Sequence, residues 1–106
     1  MNLVGEELNA VCFVMDCVEF HFNGPVLRSL SSPRVETPAG TIEFPAAGSR
    51  DACCALIGRE VSDVMLVEGV SITLRFAESG ALSIPLATGS EVAHFVPGPD
   101  QPIQVF

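Results

Sequence analysis

The sequence predicts a mainly β protein in which two similar antiparallel meanders form a small barrel or sandwich, joined by one short helix. Three observations lead to this prediction: apolar and polar residues alternate along short segments, turn residues separate those segments, and the two halves of the chain resemble each other. The chain has 106 residues, which is the size of one domain, so we expect a single domain over residues 1–106.

The similarity between the halves begins near the start of the chain. The segment LVGEELNAVCFV (3–14) aligns with LIGREVSDVMLV (56–67), and the identical pairs are Leu3/Leu56, Gly5/Gly58, Glu7/Glu60, Val11/Val64 and Val14/Val67. With a shift of one residue, VEFHF (18–22) matches ITLRF (72–76), and Val26 and Leu82 begin the next apolar run. A repeat of this length that occurs twice, over 3–30 and 56–86, indicates a duplicated half-domain and not a solenoid.

Each repeat is predicted to be a meander of strands. Alternation in VEFHF and SITLRF predicts two strands whose inward residues are bulky enough to fill a small core: Val18, Phe20, Phe22, Ile72, Leu74 and Phe76. Both first strands carry apolar residues three apart, Leu8/Val11 and Val61/Val64, which predicts a shared bulge or strong twist.

The segments outside the repeats complete a predicted total of about nine strands. RVETPAGTIEF indicates a hairpin over 33–45 that turns at Pro38-Ala39-Gly40. SRDACCALIG indicates a short helix over 49–57, with Ser49 as its N-cap and Gly58 at its C-terminal turn. On that helix Cys53 packs inward as a small apolar residue and Cys54 turns toward the flank.

Composition limits the classes of partner. The formal net charge is -8, which argues against nucleic acid and is compatible with a basic protein partner. The N-terminal segment has no basic region typical of a signal peptide, and no apolar run has the length of a membrane helix. We therefore expect a cytoplasmic protein with reduced cysteines and no membrane association.

Reactive residues show no pattern typical of an enzyme. The cysteine spacings lack the C-x-x-C motif of zinc and redox sites, although Cys17, Glu19 and His21 are spaced to share one strand face. His94 has no partner that the sequence identifies as a catalytic base or nucleophile, and no glycine-rich phosphate loop is present. The sequence therefore predicts no enzymatic activity, no cofactor and no metal.

A polar patch is the best candidate for a binding surface. It consists of outward residues of the two repeats, Glu19 and His21 in the first and Thr73 and Arg75 in the second. If these residues meet across the pseudo-twofold axis, Glu19 and Arg75 form a salt bridge, which contributes little to stability when it is exposed.

The run LIGREVSDVMLVEGVSITLRFAESGALSIPL (56–86) resembles a pattern in small uncharacterised bacterial β-rich proteins, some of which resemble immunity proteins of toxin systems. The pattern falls on Leu56, Ile57, Gly58, Val61, Val64, Leu74, Phe76, Gly80, Leu82 and Ile84, with Glu91 as a later acid. The resemblance implies a β-rich fold and carries no catalytic or cofactor residue.

The leading functional hypothesis is a non-enzymatic protein-binding module, with immunity to a toxin as its most specific form. The alternative is a small-molecule-binding β-barrel, because closed antiparallel barrels can hold one ligand. A homodimer is a further expectation, because a core this small gains from extra burial. The apolar segment PIQVF could pair with a second copy as an edge strand, but we expect it to complete the chain's own sheet.

Overall fold

The strands of the protein form two antiparallel five-stranded sheets. In the computed structural model, which describes residues 1–106, the sheet orders are β1-β2-β3-β9-β10 and β5-β4-β8-β7-β6. The elements are β1 (Ala10–Val14), β2 (Cys17–His21), β3 (Val26–Ser29), β4 (Arg34–Thr37), β5 (Gly40–Glu43), α1 (Ser49–Cys54), β6 (Val61–Val67), β7 (Ser71–Phe76), β8 (Ala81–Pro85), β9 (Ala93–Val96) and β10 (Gln104–Val105). The predicted mainly β class is confirmed. The barrel alternative is wrong, because neither sheet closes.

A single hydrophobic core joins the two sheets into a sandwich. It contains 17 buried residues drawn from both sheets, from the N-terminal segment and from the helix region. The alternating residues of β2 and β7, together with Phe22 directly after β2, all belong to this core, as the period of two predicts, and they are Val18, Phe20, Phe22, Ile72, Leu74 and Phe76. Burial of one face of each sheet fixes the register of the strands.

The duplicated halves exchange their last hairpins. Strands β1–β3 of the first half correspond to β6–β8 of the second, and each set forms the greater part of one sheet. The chain then crosses over, so that β4 pairs with β8 of the second half and β9 pairs with β3 of the first half. Each sheet is therefore completed by a hairpin from the other half.

A pseudo-twofold axis passes between the segments that precede β1 and β6. Here Glu7 and Glu60, which are equivalent in the repeat, form an isolated antiparallel bridge. The backbone hydrogen bonds around it occur in symmetric pairs: Gly5 N to Val61 O (2.8 Å) matches Gly58 N to Leu8 O (2.7 Å), and Val61 N to Glu6 O (2.8 Å) matches Leu8 N to Arg59 O (3.0 Å). The edges of the two sheets at β1 and β6 are joined here by this single isolated bridge.

Two local differences explain how the repeats align. The turn between β6 and β7 has three residues and that between β1 and β2 has two, which produces the shift of one residue. In β6 the register shifts between Val61 and Asp63, as expected for a bulge at that site. The structure also corrects the alignment of the third strands. Leu27 pairs with Phe20, and Leu82 pairs with Leu74, the equivalent of Phe20. The equivalent of Leu82 is therefore Leu27 and not Val26.

The helix α1 links the halves, as predicted, but it is shorter than 49–57. It ends at Cys54, and residues 55–58 form turns that lead into the axis contact. The predicted N-cap is also wrong: the cap residue is Gly48, in a left-handed conformation with φ 86°, and Ser49 is the first, buried residue of the helix. Cys53 is fully buried and Cys54 is exposed, as the helical spacing predicts.

The last strand completes the chain's own sheet. Strand β10 pairs with β9 through Gln104–Phe95 and Val105–His94. Helix α1 is the only helix, and it has neither the length nor the hydropathy needed to span a membrane.

Candidate functional site

A row of polar side chains crosses the outer face of the first sheet. Cys12 on β1 lies opposite Glu19 on β2, Glu19 lies opposite Arg28 on β3, and Arg28 lies opposite His94 on β9. His21 lies two residues beyond Glu19 on the same face of β2. These side chains are half-buried, and we call the five residues the outer row.

Glu19 is the centre of the outer row because both of its carboxylate oxygens are hydrogen-bonded. Arg28 Nε donates to Oε2 at 2.8 Å, and His21 Nε2 lies 3.0 Å from Oε1. The hydrogen bond from Arg28, followed by that from His21, holds the pKa of the Glu19 carboxyl below its usual range. Glu19 is therefore an anion at neutral pH, positioned by two donors.

His94 continues the hydrogen-bonded chain toward the end of the sheet. The guanidinium of Arg28 can only donate, so His94 Nδ1, 3.3 Å from Arg28 Nη1, accepts and carries no hydrogen. The other ring nitrogen, Nε2, then donates to Glu91 Oε1. His94 thus lies between the Arg28 guanidinium and the Glu91 carboxylate, which are the partners that the sequence did not identify.

Cys12 completes a group of three metal-ligating side chains. Its sulfur, a Glu19 carboxylate oxygen and a His21 ring nitrogen all lie within 4.8 Å of one another. Cys17, which the sequence associates with Glu19 and His21, is not part of the group, and burial raises the pKa of its thiol. Strand pairing explains the difference, because Cys12 is the residue directly opposite Glu19.

The four residues of the predicted binding surface fall on different sheets. Glu19 and His21 lie on β2 of the first sheet, and their repeat equivalents Thr73 and Arg75 lie on β7 of the second. Glu19 contacts Arg28 within the first sheet. In the second sheet, Arg75 Nη1 lies 3.9 Å from Glu36 Oε2, and Thr73 Oγ1 donates to Ser83 Oγ at 3.4 Å. The expected pair between Glu19 and Arg75 is therefore replaced by a separate partner within each sheet.

An exposed apolar edge lies on the second sheet. Strand β6 has β7 as its only neighbour in the sheet, and its last residues are unusually exposed for apolar side chains: Met65 52%, Leu66 44% and Val67 42%, followed by Val70 at 59% in the turn. Asp63 precedes these residues, and Glu68 lies between Val67 and Val70. We call Met65, Leu66, Val67 and Val70 the β6 edge.

In the first half, the position equivalent to Leu66 is covered, although Val14, the equivalent of Val67, is exposed. The repeat equivalent of Leu66 is Phe13, whose ring stacks on Phe44 with the centroids 5.7 Å apart and an interplanar angle of 16°. The guanidinium of Arg50 lies 5.7 Å from the Phe13 ring centroid and 5.0 Å from that of Phe44. The segment that connects the halves thus shields Phe13, while Leu66 has no such cover.

The adjacent cysteines of the helix region differ in environment. Burial raises the pKa of the Cys53 thiol to about 11, with a smaller contribution from Cys54, whereas Cys54 is exposed. Cys53 therefore remains a neutral thiol packed in the core.

The fold and these surfaces define a β-sandwich of two pseudo-symmetric halves, with a polar row on one sheet and an apolar edge on the other. No family model matches the chain, and neither a curated protein nor a solved structure matches it.

Proposed function

We propose that the protein is a non-enzymatic protein-binding module and that the β6 edge is its docking surface. The observation that carries the proposal is the contrast between Leu66, which is exposed, and its equivalent Phe13, which is covered by Phe44 and Arg50. A strand edge with apolar side chains is a ready template for another chain to pair with.

Charge favours a basic partner. The protein carries a formal net charge of -8, Asp63 precedes the exposed apolar residues and Glu68 lies between Val67 and Val70. A partner with a basic rim around an apolar centre would be attracted over distance by charge and retained by apolar contact. An acidic module of this kind is also consistent with the resemblance to immunity proteins, which is the specific form of the function that we propose.

The alternative function, a small-molecule-binding barrel, has less support. The sheets do not close, and the side chains of the 17 core residues fill the space between them. An open groove of about 620 Å³ lies at the surface beside Glu68, Thr88 and Phe106. Ligand sites usually enclose most of the ligand, which this groove does not do.

The test uses the wild type and an edge variant as immobilised baits in lysate of the native host, at low salt. The edge variant is Met65→Glu combined with Val67→Glu, and the matched control is Val4→Glu, which changes another exposed apolar residue. Circular dichroism confirms that each bait is folded. Native mass spectrometry then gives the mass and stoichiometry of what is retained.

We expect a basic protein at fixed stoichiometry on the wild type and on the control, and its loss from the edge variant. Raising the salt concentration should weaken the complex, because charge complementarity is screened. Capture that is equal on the edge variant, or insensitive to salt, would contradict the proposal. A bare wild-type monomer or homodimer would also count against it.

A further inference from the structure

We propose that Cys12, Glu19 and His21 form a binding site for one divalent transition metal ion of the zinc type. The site lies on the first sheet, and it is independent of the docking function proposed for the β6 edge. Its three ligand atoms, a sulfur, a carboxylate oxygen and an imidazole nitrogen, already lie within 4.8 Å of one another.

The strand geometry brings the three ligands together. Glu19 and His21 are two residues apart on β2, so their side chains leave the same face of the sheet. Cys12 is the cross-strand partner of Glu19 on β1. The site is therefore built on two paired strands, which hold ligands in place better than a loop does.

The donor set selects the class of metal. Thiolate and imidazole ligands suit zinc and related transition metals, whereas magnesium and calcium require oxygen ligands. Three protein ligands leave the fourth tetrahedral position for a water molecule, as in zinc sites that are open to solvent.

The distances require only small side-chain movements. His21 Nε2 and Glu19 Oε1 are 3.0 Å apart and share one hydrogen. A tetrahedral zinc ion with bonds of about 2.0–2.1 Å holds neighbouring nitrogen and oxygen ligands about 3.3–3.4 Å apart. The cation can therefore replace the shared hydrogen after this pair opens by a few tenths of an ångström and Cys12 rotates toward it.

Arg28 supplies the outer contact that such sites usually have. Its Nε donates to Glu19 Oε2 at 2.8 Å, which orients the carboxylate and leaves Oε1 for the metal. The Cys12 thiolate and the Glu19 carboxylate together balance the two positive charges of the ion. Binding forms bonds from the metal to Cys12 Sγ, Glu19 Oε1 and His21 Nε2. The hydrogen on His21 Nε2 is lost to solvent while Nδ1 takes one up, so His21 stays neutral, and the thiol proton of Cys12 passes to solvent as the one net proton released.

The test is a titration of the full chain with Co²⁺, and then with Zn²⁺, at neutral pH under a non-chelating reductant. Cobalt gives a thiolate-to-metal charge-transfer band that reports a cysteine ligand directly, and Zn²⁺ should displace it. We expect one equivalent of metal and the release of about one proton per metal bound.

The variants Cys12→Ser and His21→Asn should each weaken binding by at least about tenfold, and Cys12→Ser should abolish the band. The matched controls are Cys17→Ser, on the same face of β2 but outside the group, and Cys54→Ser, the exposed cysteine. Both controls should bind as the wild type does. Circular dichroism checks that every variant is folded, and Glu19→Gln serves in place of any ligand variant that is not.

Three results would overturn the proposal. They are the absence of a charge-transfer band in the wild type, a band that persists in Cys12→Ser, and a band that is lost in Cys17→Ser or Cys54→Ser. The last two would place the metal on another cysteine.

Discussion

Glu7 and Glu60, which occupy the same position in the two repeats, lie directly opposite each other at the pseudo-twofold axis. The hydrogen bonds on both sides of the bridge, from Leu8 N and from Val61 N, make this a non-hydrogen-bonded pair, in which the side chains are closest. Duplication has thus placed two like charges face to face. Both residues are exposed, so water screens their repulsion.

Reversing one of these charges should stabilise the protein. We expect Glu60→Lys to raise the free energy of unfolding by about 0.2–1 kcal/mol, because an opposite-charge pair replaces a like-charge pair directly across the strands. Urea denaturation at low and at high salt measures the effect, which should shrink as salt increases.

The reciprocal variant separates this pair effect from the change in net charge. Glu7→Lys should stabilise to a similar extent, and the double variant Glu7→Lys with Glu60→Lys should lose the gain because like charges face each other again. Asp100→Lys, at an exposed loop position, controls for net charge. If the double variant is as stable as the single ones, the two side chains do not interact.

The repeat also places a glycine at the same backbone conformation on both sides of the axis. Gly5 and Gly58 both have φ +89°, and a Cβ at either position would meet no atom within 4 Å. Substitution by alanine should therefore lower the free energy of unfolding only through backbone strain, by about 1–2 kcal/mol at each site. Gly98, which is not left-handed and has the same open surroundings, is the control, and Gly98→Ala should change stability by less than about 0.5 kcal/mol in thermal unfolding.

Burial of Cys53 should make the protein less stable in alkali. The folded pKa of about 11 lies above the ordinary value of 9.0, so the unfolded chain loses this proton first as the pH rises. The stabilisation is complete below about pH 9 and is lost as the pH rises through about 11, a decline of about 2–3 kcal/mol. The chain has no tyrosine and no lysine, which leaves few other groups to titrate in this range.

Urea denaturation between pH 8 and pH 11 measures this decline in the wild type and in Cys53→Ala. In the variant, the free energy of unfolding should fall only slightly with pH, because the pKa of the half-buried Cys17 thiol is also raised. Cys54→Ala should decline as the wild type does, since Cys54 is exposed. A Cys53→Ala variant with the full wild-type slope would show that burial of Cys53 is not the cause.

The equivalent core positions Phe20 and Leu74 should be equally intolerant of truncation. Both side chains are 0% exposed and belong to the one core cluster. We expect Phe20→Ala to cost about 3–5 kcal/mol and Leu74→Ala about 2–5 kcal/mol, because each leaves a cavity. A Thr73→Ala variant, on the outer face of the same strand, should be nearly neutral in chemical denaturation. Substantially smaller losses at Phe20 and Leu74 would contradict the face-to-face packing of the sheets.

Alternation and internal similarity were sufficient to predict the β class, the inward residues of β2 and β7, and the environments of Cys53 and Cys54. They were not sufficient to show that β4 and β9 cross to the other sheet, because the alternation of residues within a strand does not indicate which strand it pairs with. The helix was predicted too long, since the apolar spacing of Leu56 and Ile57 continues after the backbone has turned.

The outer row could not be predicted in full for the same reason, because it depends on which strands pair. Glu19 and His21 were identified from the sequence and His94 was singled out without a partner, whereas Cys12 and Arg28 were missed. These residues come together only through the pairing of β1, β2, β3 and β9. Spacing along one strand suggested Cys17, whereas the ligand group forms across strands. One feature could have indicated that Arg28 belongs to the outer face: it lies between Leu27 and Ser29, which are both buried.

Because the halves exchange hairpins, they are arranged within one chain as two subunits of a strand-exchanged dimer would be. A break in the segment between β5 and β6 would leave two fragments, each with three strands of one sheet and a hairpin that belongs to the other. Neither fragment could bury its apolar face alone, so each would act as the template on which the other folds. The connecting segment therefore keeps the two interdependent halves at a one-to-one ratio. Loss of either half would leave the other unable to fold.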